Sequence, residues 1–129
     1  MIAQAVRDPE GTPVVERLHV ARTSRERMRG LLGRDGLPEG EGMWFPACRL
    51  IHTFGMRFPI DLVYLNADLE VCKVVAGLGP ARLSACLAAE SVIELDSGEA
   101  NRLGLSRGVR LRIVEAAPAA PTDPAECPE

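Results

Sequence analysis

The chain has 129 residues, 47% hydrophobic and 26% charged, which suits one globular domain with one core and argues against disorder. Its net charge of −3 carries no strongly basic footprint, so a general nucleic-acid binder is not expected. No run approaches the roughly 18–20 apolar residues of a membrane helix, and residues 1–8 are too short and polar for a secretory signal, so the expectation is a cytoplasmic protein or an exported mature form.

Charge and side-chain type are unevenly used. Residues 1–60 carry nine Arg against seven Asp and Glu, while residues 61–129 carry six basic against eleven acidic groups. Lys73 is the single lysine, and aromatics make up only 4%, so the core must come from Val, Leu and Ile. The four cysteines, Cys48, Cys72, Cys86 and Cys127, contain no C-x-x-C pair, which removes spacing support for a zinc site. Cys72 sits in an apolar run and reads as a small buried hydrophobe. A disulfide framework is not expected in the cytoplasm.

Residues 1–13 include Pro9, Gly11 and Pro13 and read as a loose lead-in, with 1–6 able to add an edge strand. In 14–21, Leu18 and Val20 alternate with Arg17 and His19, the period of a half-buried strand. Thr23 and Glu26 then form a capping box, and Met28, Leu31 and Leu32 make one apolar stripe, predicting a helix that Gly33 ends. Gly30, inside that helix, costs about 1 kcal/mol relative to Ala and suggests a close backbone neighbour. Residues 34–41 are turn-rich, and 42–46 form a short apolar strand. Residues 60–65 are apolar throughout except for Asp61, as in a strand covered on both faces. Asn66, Ala67 and Asp68 make a hairpin turn. The return strand, 69–76, loses its alternation near Cys72 and Lys73, which predicts a bulge. Residues 81–89 are weakly helical by composition. Residues 91–95 read as a buried strand, Ser97 as the cap of a short helix over 98–103, and Val109, Leu111 and Ile113 as a last strand alternating with Arg110 and Arg112. Residues 116–129 hold four prolines in fourteen positions and are expected to be a disordered tail. The expected domain thus spans 14–115. Its class is α+β but mostly β, a small antiparallel β-barrel or rolled sheet with two or three short helices outside.

Four constellations could carry chemistry. Asp61 enters an apolar strand, where a carboxylate needs a partner. His52, Arg57, Arg27 and backbone N–H groups are candidates, and a structural pin is the leading reading. Met43, Cys48, His52 and Met56 have the donor types of a Cu(I) site, although two core methionines explain them more simply. Cys48 and His52 could pair as nucleophile and base only if the fold brings them together. Arg22, Arg25, Arg27, Arg29 and Arg34 could bind phosphate or carboxylate, or form a solvated helix face. There is no phosphate loop, G-x-G-x-x-G or H-E-x-x-H.

Several of these residues fall in a recurring order. Thr23-x-x-Glu26-Arg27-x-x-Gly30-Leu31-Leu32-x-Arg34, Leu37-Pro38 and Gly42-Met43-Trp44-Phe45 come first. Ile51-His52-Thr53-Phe54-Gly55-Met56-Arg57-Phe58-Pro59-Ile60-Asp61 follows. Val92-Ile93-Glu94-Leu95-x-x-Gly98 and Leu103-Gly104-Leu105-x-x-Gly108 complete it. This series, over roughly 16–114, resembles the domain-of-unknown-function 192 family. The resemblance implies a compact β-rich domain and marks Arg27, Gly30, Met43, His52, Thr53, Met56 and Asp61 as signature positions. It supplies no reaction. The chain departs from the pattern at Val109, where many relatives carry Asp.

The resulting expectation is a non-enzymatic binding or accessory domain with a small pocket near His52, Thr53 and Asp61. It would need no cofactor or metal, and its partner would be a small molecule or a protein. The alternatives are a small enzyme using His52 and Asp61 as an acid/base pair, and a regulatory or nucleic-acid-contacting module working through the arginine-rich helix.

Overall fold

A computed structural model of the chain describes residues 2–21 and 35–115. Among the described residues are nine strands: β1 (Ile2–Arg7), β2 (Pro13–Val20), β3 (Glu41–Pro46), β4 (Leu50–His52), β5 (Ile60–Leu65), β6 (Val71–Leu78), β7 (Leu83–Ala85), β8 (Ser91–Asp96) and β9 (Leu111–Glu115). One short helix, α1 (Glu99–Arg102), stands among them in the described residues. The helix expected over 23–33 lies outside the described residues, as does the tail expected over 116–129.

Seven strands form one sheet in the order β6-β5-β8-β3-β2-β1-β9, and β4 and β7 form a second, two-stranded sheet. All pairs are antiparallel except β2 with β3. A parallel pair needs a long crossover, which the chain between positions 20 and 41 supplies.

The continuous apolar run at β5 has the consequence expected of it. Every residue of the strand is buried, and β5 is hydrogen-bonded to β6 on one side and β8 on the other. One face of the large sheet packs Leu18, Val63, Leu65, Ile93 and Leu95 against Ala100 of α1. The other packs Met43, Phe45, Ile60, Leu62, Tyr64 and Val92 against Ile51 of the small sheet. At roughly 25 cal/mol per Å² of apolar surface, these two clusters dominate the favourable side of folding.

Four expectations are corrected. Positions 1–13 are not merely a lead-in, because β1 lies inside the sheet, paired with both β2 and β9. Its Ala3, Ala5 and Val6 are buried, so this segment contributes core surface. Residues 81–89 are not helical. Leu83–Ala85 pair with β4, and that tertiary pairing overrides the alanine-rich composition. The sheet does not close into a barrel, although its edges meet at one corner. There the Val71 N–H donates to Val109 O at 2.8 Å, the Leu111 N–H donates to Leu69 O at 2.9 Å, and Glu70 bridges Arg110. No ladder continues beyond that corner. Finally, two or three outer helices are not seen, since α1 stands alone among the described residues.

The expected bulge is present. Tyr64 pairs with Lys73 but Leu65 pairs with Val71, leaving Cys72 as the extra residue. A second bulge in β6 falls between the pairs Ile60–Leu78 and Leu62–Val75. Gly77 sits there with φ of +65°, a conformation that costs glycine little. The turn after β5 is closed by Asn66, whose Oδ1 accepts the N–H groups of Asp68 at 2.9 Å and Glu70 at 3.0 Å.

Candidate functional site

The signature block runs from β4 into β5, and its residues separate into two environments. Asp61 is fully buried. Its Oδ1 accepts the Gly77 N–H at 2.9 Å, and its Oδ2 accepts the N–H groups of Gly98 at 3.0 Å and Ala100 at 2.9 Å. The carboxylate therefore stitches the Gly77 bulge to the first turn of α1. Local sequence had suggested Ser97 as the helix cap. Instead Gly98 holds the N-cap position without a side-chain cap bond, and Asp61 supplies the acceptor from a strand remote in sequence. Acceptors of this kind satisfy N–H groups that a helix start leaves unpaired.

Thr53 is the second pin and is also fully buried. Its hydroxyl donates to Gly79 O at 2.7 Å and accepts the Arg82 N–H at 2.8 Å. Its backbone N–H donates to Arg82 O at 2.9 Å, and its carbonyl accepts the N–H groups of Ala81 and Met56, both at 3.1 Å. Thr53 thus fixes the chain that leads from β6 into β7. Met43 and Met56 are buried in the core beside Phe58 and Leu62, so packing accounts for both.

His52 belongs to the other environment. It is exposed and stacks on Phe54, with ring centroids 5.3 Å apart and planes at 25°. Asp61 spends its oxygens on backbone N–H groups while His52 faces solvent, so the two do not form an acid/base pair. The Cys48 thiol donates to Leu50 O at 3.2 Å, and no Cys48–His52 bond occurs among the described contacts. No group of three or more His, Cys, Asp or Glu residues is arranged for a metal among the described residues. Arg27, Gly30 and the rest of the arginine-rich segment lie outside the described residues.

The exposed half of the block continues across the small sheet. Register pairs Leu50 with Ala85 and His52 with Leu83, which places these four residues on one face. Ile51 and Ser84 point the other way. Ile51 joins the core, and Ser84 Oγ accepts the Tyr64 hydroxyl at 2.9 Å. On the outer side Leu50 is 58% exposed and Leu83 62%; Phe54, stacked on His52, is 51% exposed, and Leu87, in the turn after β7, is 87% exposed. Arg49, Arg57, Lys73 and Arg82 are also exposed; Arg49 pairs with Glu90, Arg57 with Asp35, and Lys73 Nζ donates to Ala85 O. A shallow depression of about 390 Å³, lined by Ala47, Cys48, Arg49, Leu50 and Glu90, opens beside Leu50.

Two features of the site are not legible in the sequence pattern alone. The apolar face was hidden because strands of three residues are too short to show a period. The second is Glu94, a carboxylate within the apolar run 91–95, which carries the same signal as Asp61. It is buried on β8, opposite Met43 and Leu62, and burial pushes its carboxyl up to about 8.

Comparison with known proteins agrees with this architecture. A Novosphingobium aromaticivorans DSM 12444 protein of unknown function is 28% identical, with a TM-score of 0.74 over 86% of this chain and 84% of its own. A Sinorhizobium meliloti 1021 protein, described as a candidate transcription regulator, is 20% identical. It has a TM-score of 0.74 over 87% of this chain and 92% of its own, a likeness of fold. No curated protein matches the chain. The family model of domain of unknown function 192, described as an uncharacterized ACR, matches residues 5–113. The chain therefore belongs to the domain-of-unknown-function 192 family.

Proposed function

We propose that the protein is a non-enzymatic binding domain whose recognition surface is the outer face of the β4–β7 sheet. The observation that carries this reading is the placing of Leu50, His52 and Leu83, with Phe54 stacked on His52, on the solvent side of a sheet whose other side is anchored. Isolated exposed apolar residues are ordinary, but a contiguous group on a rigid support is the usual mark of an interaction site. Thr53 then acts as a support, holding the chain that enters β7 while its buried side chain takes no part in contact.

The occupant that fits is a segment of a partner protein with apolar residues and flanking carboxylates. Its apolar side chains would cover Phe54 and Leu83, and one would enter the depression beside Leu50. Its carboxylates would meet Arg82, which adjoins Leu83 in the chain, and Lys73, whose ammonium reaches the Ala85 carbonyl. A photo-crosslinking residue at position 83, with position 112 of β9 as control, identifies the partner in cells of the source organism. The purified partner is then titrated against the wild type and Leu83→Glu. The expected outcome is at least a tenfold loss of affinity for Leu83→Glu with an unchanged melting temperature. Equal binding by the variant, or equal crosslinking from both positions, overturns the proposal.

A further inference from the structure

Three of the four cysteines, Cys48, Cys72 and Cys86, are partly buried against the core cluster that contains Tyr64. Two of them touch, with the sulfurs of Cys72 and Cys86 3.8 Å apart. Cys48 is directed elsewhere, to the Leu50 carbonyl. The contact is built on both sides. Cys72 is the bulged residue of β6, the edge strand of the large sheet, and Cys86 directly follows β7. Lys73 Nζ donates to Ala85 O at 2.9 Å, the Tyr64 hydroxyl donates to Ser84 Oγ at 2.9 Å, and the Cys86 N–H donates to Arg49 O at 3.0 Å. Residues adjoining each thiol are thus held, and the bulge carries Cys72 toward the small sheet.

We infer that Cys72 and Cys86 form a reversible dithiol–disulfide site, oxidised by low-molecular-weight disulfides, whose closure staples β7 to the edge of the large sheet. A disulfide requires sulfurs about 2.05 Å apart, so the pair must close by about 1.8 Å, a movement within reach of side-chain rotation. Burial, followed by the contact with Cys86, raises the Cys72 pKa and holds it as the thiol. In the proposed order Cys86, which precedes the exposed Leu87, meets the incoming reagent first. Its thiolate attacks one sulfur of the small disulfide, and one thiolate leaves. Cys72 then loses its proton and attacks the Cys86 sulfur of the mixed disulfide, releasing the second small thiol. Two cysteine thiols are oxidised and one small disulfide is reduced to two thiols.

The test treats the full chain, natively folded, with excess glutathione disulfide, and then alkylates the remaining thiols and maps them by mass. Trypsin separates all four cysteines, in peptides 35–49, 58–73, 83–102 and 113–129. The expected product is a cross-link between 58–73 and 83–102, two hydrogens lighter than the separate peptides and reversed by dithiothreitol. Cys72→Ser is expected to leave a lasting glutathione adduct on Cys86 instead. Full alkylation of both cysteines, a persistent adduct on the wild-type pair, or a link through Cys48 or Cys127 overturns the inference.

Discussion

Replacing Asp61 tests whether one buried carboxylate holds α1 to the sheet. Its two oxygens accept three backbone N–H groups, one in the β6 bulge and two at the helix start. Hydrogen bonds to charged groups contribute about 1.5–3 kcal/mol each, and a buried donor left unpaired costs about 1–3 kcal/mol. Asp61→Ala orphans all three donors and is expected to cost about 4 kcal/mol after partial relaxation, much of the roughly 5–15 kcal/mol available to a domain. Asp61→Asn is the sharper probe. Its one carbonyl oxygen can serve Gly98 and Ala100, but its NH₂ then confronts the Gly77 N–H, so a loss of about 2 kcal/mol is expected. Urea unfolding followed by Trp44 fluorescence measures both. With a slope of about 1–3 kcal/mol per molar, the Asn variant should lower the midpoint by about 1 M. Asn and Ala variants both within about 0.5 kcal/mol of wild type, or an Ala variant more stable than the Asn variant, would refute the pinning argument.

Thr53→Val removes a hydroxyl that both donates and accepts, and is expected to cost about 1–3 kcal/mol in the same assay, with Thr53→Ser recovering most of it. Gly42→Ala would place a methyl carbon 2.8 Å from Leu95 Cδ2 and 3.2 Å from Glu94 O, so overpacking should cost about 1–3 kcal/mol. Glu94 gives a pH dependence. Its folded pKa of about 8 is raised above an ordinary carboxyl, so the native state keeps a proton that the unfolded chain releases near 4.5. Its contribution is intact below about 4.5 and is lost as pH rises through about 8. The loss runs at about 1.4 kcal/mol per pH unit within that window. Glu94→Gln should remove that slope, and identical pH profiles for the two proteins would count against a neutral buried Glu94.

Local pattern carried much of the fold. The apolar run of β5 identified a doubly covered strand, and the broken alternation of β6 located the Cys72 bulge, because both depend on a residue and its immediate neighbours. What failed was what distant segments decide. An alanine-rich stretch became β7 because β4 lay beside it, and β1 entered the sheet because β2 and β9 flank it. The candidate site divides in the same way. A carboxylate in an apolar strand announced that Asp61 needed partners, but those partners, Gly98 and Ala100, lie 37 and 39 positions away. The Cys72–Cys86 contact and the exposed face of the small sheet also required the folded arrangement.

The corner where β6 meets the start of β9 bears on how the molecule treats its neighbours. An open sheet normally ends in two rows of unpaired N–H and C=O groups, on which another chain can template itself. Here the contacts from Leu69 and Val71 to Gly108, Val109 and Leu111 consume part of both rows at once. Beyond the corner, β9 continues with Arg112 and ends at Glu115, both exposed and charged. The fold thus shields its two vulnerable borders by bringing their ends together, gaining some of the protection of a barrel while remaining open.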